Sequence, residues 1–207
     1  MFDSQILYRA LKISEEIYDE AMYGDNDLYR IKDLSHALDT NHWVSKRWLV
    51  ERLADHYKFE AGSALIVGGW YGLTAFLMRQ QWKESCMLIE SSDMDPKCAH
   101  YGWKLFPHYN INFTTLDVNS KPDLSSYSII INTSCEHMEQ EDVRWMISNK
   151  NKDCIFVGQS NNYVDLDSHI NCYPDVGFFA DDLELDDIIF EEEMNLGGFD
   201  RFMVIGK

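Results

Sequence analysis

SALIVGGWYGLTAFLMRQQW, residues 63–82, is where the pattern of the chain changes. Residues 63–68 form a short apolar run that ends in glycine, as a strand buried on both faces does. Residues 72–82 then read as a helix, so the glycines between them mark a tight strand-to-helix turn. The wider window 61–78 carries no charged residue and reaches the lower length limit for a membrane span. Gly68, Gly69 and Gly72 divide it, however, and the expectation is a buried strand, turn and helix rather than a span.

Towards the C-terminus, strands and helices alternate. Residues 86–91 read as a strand, and Pro96 opens a helix over PKCAHYGWKLF, since proline suits a first helical turn. Residues 111–116 and 127–133 read as strands. Residues 139–149 read as a helix with acids in its first turn, where the helix dipole favours them. Residues 154–158 give a further strand. Strands at 187–194 and 201–205 follow, joined by the hairpin-like turn Asn195-Leu196-Gly197-Gly198. The acidic run 181–193 reads as solvated loop and strand. Strand–helix alternation implies right-handed crossovers and a mostly parallel sheet, and the final hairpin adds an antiparallel strand at or near one edge.

Before residue 63 there is no strand signal. Leu7, Leu11, Ser14, Ile17 and Tyr18 show helical spacing, as do Ser45, Trp48, Leu49, Arg52 and Leu53. The polar stretch between them reads as loops or short helices. The expected organisation is an N-terminal helical cap over 1–60 and an α/β domain over 61–207.

Composition narrows the classes. With 207 residues, 45% of them hydrophobic, the chain can bury a sizeable core. Its 18 Lys plus Arg against 35 Asp plus Glu give a net charge of −17. Without a clear basic cluster, nucleic acid and anionic membranes are not expected partners. The five cysteines are dispersed, with no CxxC, which suits a reducing cytoplasm. The first residues are charged throughout, so no secretory leader is expected.

Distinctive residues fall after four strands, where parallel sheets bind ligands. The first group is Gly68-Gly69-Trp70-Tyr71-Gly72. It can admit a ligand to the backbone and the helix N-terminus, or be a plain turn. The second is Ser91-Ser92-Asp93-Met94-Asp95-Pro96. Asp93 lies at roughly the 20-residue spacing at which such sheets place a ribose-binding acid, whereas Asp95 before proline suits a cap. The third is Leu116-Asp117-Val118, whose acid can accept from a ligand amine or serve a turn. The fourth is Asn132-Thr133-Ser134-Cys135-Glu136-His137-Met138. Here His137 can act as a base, and Glu136 can hold it or a substrate amine. Alternatively Ser134 caps a helix and His137 is solvated.

Taken together, LIVGGWYG, SSDMDP, TTLDV and INTSCEHM resemble, in order and spacing, the class I S-adenosylmethionine-dependent methyltransferases over about residues 60–207. GGWYGLTAF, INTSCEHM and QSNNY resemble more narrowly a subgroup of short members, some phage-encoded. The resemblance implies a Rossmann-like methyltransferase sheet with an antiparallel C-terminal strand and S-adenosyl-L-methionine as cofactor. It implies Gly68, Gly69, Trp70 and Gly72 beside the methionine moiety, Asp93 and Met94 at the ribose, Asp117 and Val118 at adenine, and Asn132 on the floor. Two departures stand out: Ile66 replaces the family's usual acid before the first glycine, and Trp70 occupies a glycine position.

On the acceptor side, the candidates are Glu136 and His137 as catalytic groups, with Gln159, Asn161, Asn162 and Tyr163 positioning a substrate or merely satisfying a turn. Lys46 can reach a ligand carboxylate, or belong to an amphipathic helix whose Trp48 packs on the sheet. No metal ligands are assigned: HExxH is absent, and His100 and His108 lack partner spacing. Cys135 has no activating feature, and the GxSxG elbow is missing. The leading expectation is methyl transfer to a small-molecule or protein acceptor. Transfer of the aminocarboxypropyl or aminopropyl arm of the same cofactor, or binding without catalysis, are the alternatives.

Overall fold

A computed structural model describes residues 4–23, 27–59, 61–83 and 87–207. Seven strands form one sheet in the order β3-β2-β1-β4-β5-β7-β6. They are β1 (Ser63–Val67), β2 (Leu88–Asp93), β3 (Ile111–Thr115), β4 (Ile129–Asn132), β5 (Ile155–Asn161), β6 (Ile188–Asn195) and β7 (Asp200–Gly206). Strands β1 to β5 pair in parallel. β7 runs antiparallel between β5 and β6, as the closing hairpin anticipates. The expected strand start at residue 86 lies outside the described residues. Here β2 begins at Leu88 and carries Asp93 as its last residue.

β1 and β4 are central, and their paired residues are apolar on both faces except Asn132: Ala64, Leu65, Ile66 and Val67 pair with Ile129, Ile130, Ile131 and Asn132. One face buries Ala64, Ile66, Ile129 and Ile131 with the helices α4 (Leu73–Gln81) and α5 (Pro96–Leu105). The other buries Leu65, Val67 and Ile130 with α6 (Gln140–Asn149) and α7 (Val176–Leu183). Alternate residues of each strand thus feed two layers of helices, which is the physical content of a doubly covered sheet.

The N-terminal helices α1 (Ser4–Met22), α2 (Tyr29–Ala37) and α3 (Thr40–His56) share the first of these cores. α3 is capped by Asp39, whose carboxylate accepts from the His42 N–H at 2.9 Å. Its Trp48 is buried and donates from Nε1 to Glu192 on β6 at 2.7 Å, so this helix does lie against the sheet. In α1 the buried stripe is Ile6, Ile13 and Ile17, whereas Leu7, Leu11 and Tyr18 are exposed. The expected apolar positions therefore identified the helix but mostly the wrong face. Both stripes satisfy a 3.6-residue period, and only the packing distinguishes them.

α7 overlaps only the first three residues of the acidic run 181–193 that the sequence reads as solvated loop and strand. Asp175 caps it by accepting from the Phe178 N–H at 3.1 Å, and Phe179, Ala180 and Leu183 are buried. The acidic residues that follow mask this short helix in composition. No helix among the described residues is long and apolar enough to cross a membrane.

Candidate functional site

The loops at the carboxyl ends of β1 to β5 converge on a cleft of about 740 Å³, within the size range of small-molecule sites. Val67, Gly68 and Trp70 line it at the end of β1, Asp93 and Met94 at the end of β2, and Leu116, Asp117 and Val118 after β3. Glu136 and His137 follow β4, and Asn161 and Tyr163 follow β5. Lys46 reaches in from α3.

The β1–α4 turn is built by close approach. Gly68 has φ +60°, and a Cβ there would stand 2.4 Å from Ser134 Oγ. A Cβ on Gly69 would stand 2.3 Å from Ser91 Oγ, and the Gly69 N–H donates to Ser92 O at 2.8 Å. Gly72 has φ +92° and leaves room for the Phe113 ring, 2.4 Å from where its Cβ would be. Trp70 also has a positive φ, +50°. The loop thus keeps a left-handed backbone at the residue that replaces a glycine. Two bonds hold Trp70 there: its N–H donates to Asp93 Oδ2 at 3.0 Å, and its indole Nε1 donates to Asp33 Oδ2 at 2.9 Å. The Tyr71 hydroxyl donates to the same Asp33 oxygen at 2.7 Å. Asp33, on α2, is a site residue that the sequence reading missed, because nothing local links it to a loop 37 residues away.

Asp93 accepts the Trp70 N–H on one oxygen and the Asp95 N–H, at 3.1 Å, on the other. Burial raises its pKa despite those two donors. Each oxygen retains a further lone pair for a ligand hydroxyl. Asp95 is the cap: it accepts the Lys97 N–H at 2.9 Å and pairs with Arg30 at 2.6 Å. Asp117 is exposed and accepts the Asn119 N–H at 2.9 Å, closing a turn while its side chain borders the cleft.

After β4 the arrangement differs from the expected one. Ser134 makes no side-chain cap; its hydroxyl donates to Gly68 O at 3.3 Å, tying the fourth loop to the first. Glu136 does not hold His137. Its Oε1 pairs with Arg201 on β7, which also donates to Thr133 O at 2.7 Å. Both residues are buried. Burial alone would raise the Glu136 pKa, but Arg201 and His137 outweigh it, and the carboxyl stays below its usual range. His137 turns Nδ1 to Ser168 O at 2.9 Å. A carbonyl only accepts, so Nδ1 carries a proton, and in the neutral imidazole Nε2 is the lone pair. His169 is placed alike, with Nδ1 on Tyr163 O at 2.6 Å. One donor atom each from Glu136, His137 and His169 lie within 4.8 Å of one another. Neither Arg201 nor His169 was singled out in the sequence. The arginine that opens the otherwise apolar RFMVI was the available signal for the first, and there was none for the second.

The remaining candidates divide. Lys46 is buried and donates to Gln159 Oε1 at 3.0 Å; burial first, then Arg201, push its pKa well down. Gln159 reaches back to Ser45 O at 3.4 Å, so it links α3 to β5. Asn161 accepts the Tyr163 N–H at 2.8 Å, and Asn162 brackets Asp200, so these amides mainly shape the loop. Gly72, Asn132, Gln159 and Asn162 do not line the cleft, and Gly69 lines the adjoining small pocket instead. Asn132 accepts the Ser134 N–H at 3.0 Å. Cys135 is fully buried and burial drives its thiol pKa up, which removes it as a nucleophile.

No family model matches the sequence, and no curated protein does. Many solved structures match the fold. A Pyrococcus horikoshii OT3 protein aligns with TM-score 0.61 at 12% identity, over 81% of this chain and 92% of its own. An S-adenosylmethionine-dependent methyltransferase from Clostridium acetobutylicum aligns with TM-score 0.60 at 10% identity, over 88% and 98%. Magnesium protoporphyrin IX methyltransferase from Synechocystis, solved with bound S-adenosylhomocysteine, aligns with TM-score 0.61 at 12% identity, over 80% and 82%. At these identities the likeness concerns architecture: the chain carries the Rossmann-like fold of the class I S-adenosylmethionine-dependent methyltransferases.

Proposed function

We propose that the protein is an S-adenosylmethionine-dependent methyltransferase acting on a small-molecule or protein acceptor. The observation that carries this reading is the convergence of Gly68, Asp93 and Asp117, from three successive strand ends, on one cleft.

The donor set suits the cofactor. Its hydroxyls, adenine amine and sulfonium are hydrogen-bond donors or positive, and Asp33, Asp93 and Asp117 offer acceptors and negative charge. A dinucleotide needs cations or free N–H groups for its phosphates; here Arg201 is taken up by Glu136 and Thr133, and Lys46 by Gln159. Asp93 with Met94 would take the ribose, Asp117 with Val118 the adenine, and Gly68, Gly69 and Trp70 the methionine part. Gly72 and Asn132 would act from behind, by shaping the turn and the floor. Bound there, the cofactor supplies an electrophilic methyl group on a sulfonium.

The chain's own part is orientation and proton handling. Tyr163 and Asn161 flank the acceptor side of the cleft. His137 has Nε2 free to take a proton from an acceptor that must lose one. Glu136, fixed by Arg201, positions the loop instead of acting as the base, and α2 and α3 close the cleft over Trp70. In-line alignment of this kind supplies much of the rate in methyl transfer.

Product analysis tests the reading. Incubation with S-adenosylmethionine and an acceptor panel should release S-adenosylhomocysteine. Methylthioadenosine in its place would mean transfer of the cofactor's aminocarboxypropyl arm, and tight binding with neither product would mean a non-catalytic domain.

A further inference from the structure

We propose that Glu136, His137 and His169 form a binding site for one divalent first-row transition metal, on the acceptor side of the cleft. One donor atom from each lies within 4.8 Å of the others. Bonds of about 2.0–2.2 Å to one ion require a closer spacing than that, so binding draws the exposed His137 and the half-exposed His169 inwards towards Glu136.

Three independent features prepare the site. First, both histidines are oriented through Nδ1 by backbone carbonyls, His137 by Ser168 at 2.9 Å and His169 by Tyr163 at 2.6 Å. This is how metal-binding histidines are held, with the tautomer fixed and Nε2 presented. Second, the segment carrying His169 is pinned to the Glu136 backbone. The N–H groups of Ile170 and Asn171 both donate to Glu136 O, at 2.9 and 3.1 Å. Third, Glu136 is 4% exposed, and its Oε2 has no hydrogen-bond partner while Arg201 occupies Oε1. An unpartnered buried carboxylate oxygen is costly unless something completes it. Two imidazoles and one carboxylate suit Zn²⁺, Co²⁺, Fe²⁺ or Mn²⁺, whereas Ca²⁺ and Mg²⁺ favour all-oxygen shells.

A cation at this point would occupy His137 Nε2 and polarise an oxygen or nitrogen acceptor directly, in place of proton transfer to that nitrogen. That role rests on the methyl-transfer reading; the binding itself does not.

The test is titration of chelator-treated, dialysed full-length protein with Co²⁺, followed by visible d–d absorption and by calorimetry. The wild type should bind one equivalent without a thiolate charge-transfer band. His137→Ala and His169→Ala, checked for folding by circular dichroism, should each bind at least about ten-fold more weakly. No binding by the wild type, undiminished binding by either folded variant, or a thiolate band would each overturn the site. S-adenosylmethionine binding is measured separately on the metal-free protein, so failure of the metal site and failure of the cofactor reading are distinguishable.

Discussion

Asp33 shows how much a single side chain can hold in place. Its Oδ2 receives both the Trp70 indole and the Tyr71 hydroxyl, and Tyr71 is almost wholly buried. Asp33→Ala leaves a buried hydroxyl without an acceptor and frees an indole that sits on a left-handed backbone. The expected cost is about 1–3 kcal/mol by denaturant unfolding, with weaker cofactor binding as the turn loosens; unchanged stability would contradict the anchoring role. Lys46 makes a prediction in pH. Burial and Arg201 depress its folded pKa below 10.5. Between the two values the unfolded chain binds the proton more tightly, so stability rises with pH through that window. The burial penalty is full below the folded pKa and vanishes as the pH approaches 10.5. Lys46→Met should remove this slope in unfolding titrations at stepped pH, and an identical slope in both proteins would show that Lys46 is not charged at a cost. Asp93, Asp117 and His137 could be picked from the chain because each lies at, or within a few residues of, the end of a readable strand. Asp33, Arg201 and His169 act across 30 residues or more, and no local pattern encodes that.

The β1–α4 turn combines two demands on one residue type. Gly72 has φ +92° and occupies the space beside Phe113. Gly72→Ala should therefore destabilise by about 2 kcal/mol or more in thermal or denaturant unfolding, from backbone strain and ring displacement together; a neutral effect would mean that the turn tolerates another conformation. The turn itself was readable in the sequence, since glycines between an apolar run and a helical stretch allow little else. So were the helices from Pro96 and from residue 139, where proline and first-turn acids announce the start. α7 was not readable: eight residues of mixed apolar and acidic character, with Gly177 among them, give no stable period. α1 was readable as a helix but not by face, because its exposed side carries Leu7, Leu11 and Tyr18.

Across the whole molecule, sheet order and cleft follow from one alternation. Parallel crossovers bring five strand ends to the same edge, and the reversed β7 adds Arg201 to the wall behind them. The antiparallel insertion was visible as a closing hairpin; that its arginine would neutralise Glu136 was not. The net charge of −17 is in keeping with a cleft whose bound ligand donates hydrogen bonds and carries positive charge. The measurement that meets the account most directly is calorimetric titration of the purified protein with S-adenosylmethionine and S-adenosylhomocysteine, beside Asp93→Ala. The account predicts a dissociation constant on the order of micromolar for the wild type and at least about ten-fold weaker binding by a folded variant, since a lost ribose contact to a carboxylate is worth roughly 1.5–3 kcal/mol. Folded wild-type protein that binds neither compound, or a variant that binds both as tightly, would contradict it.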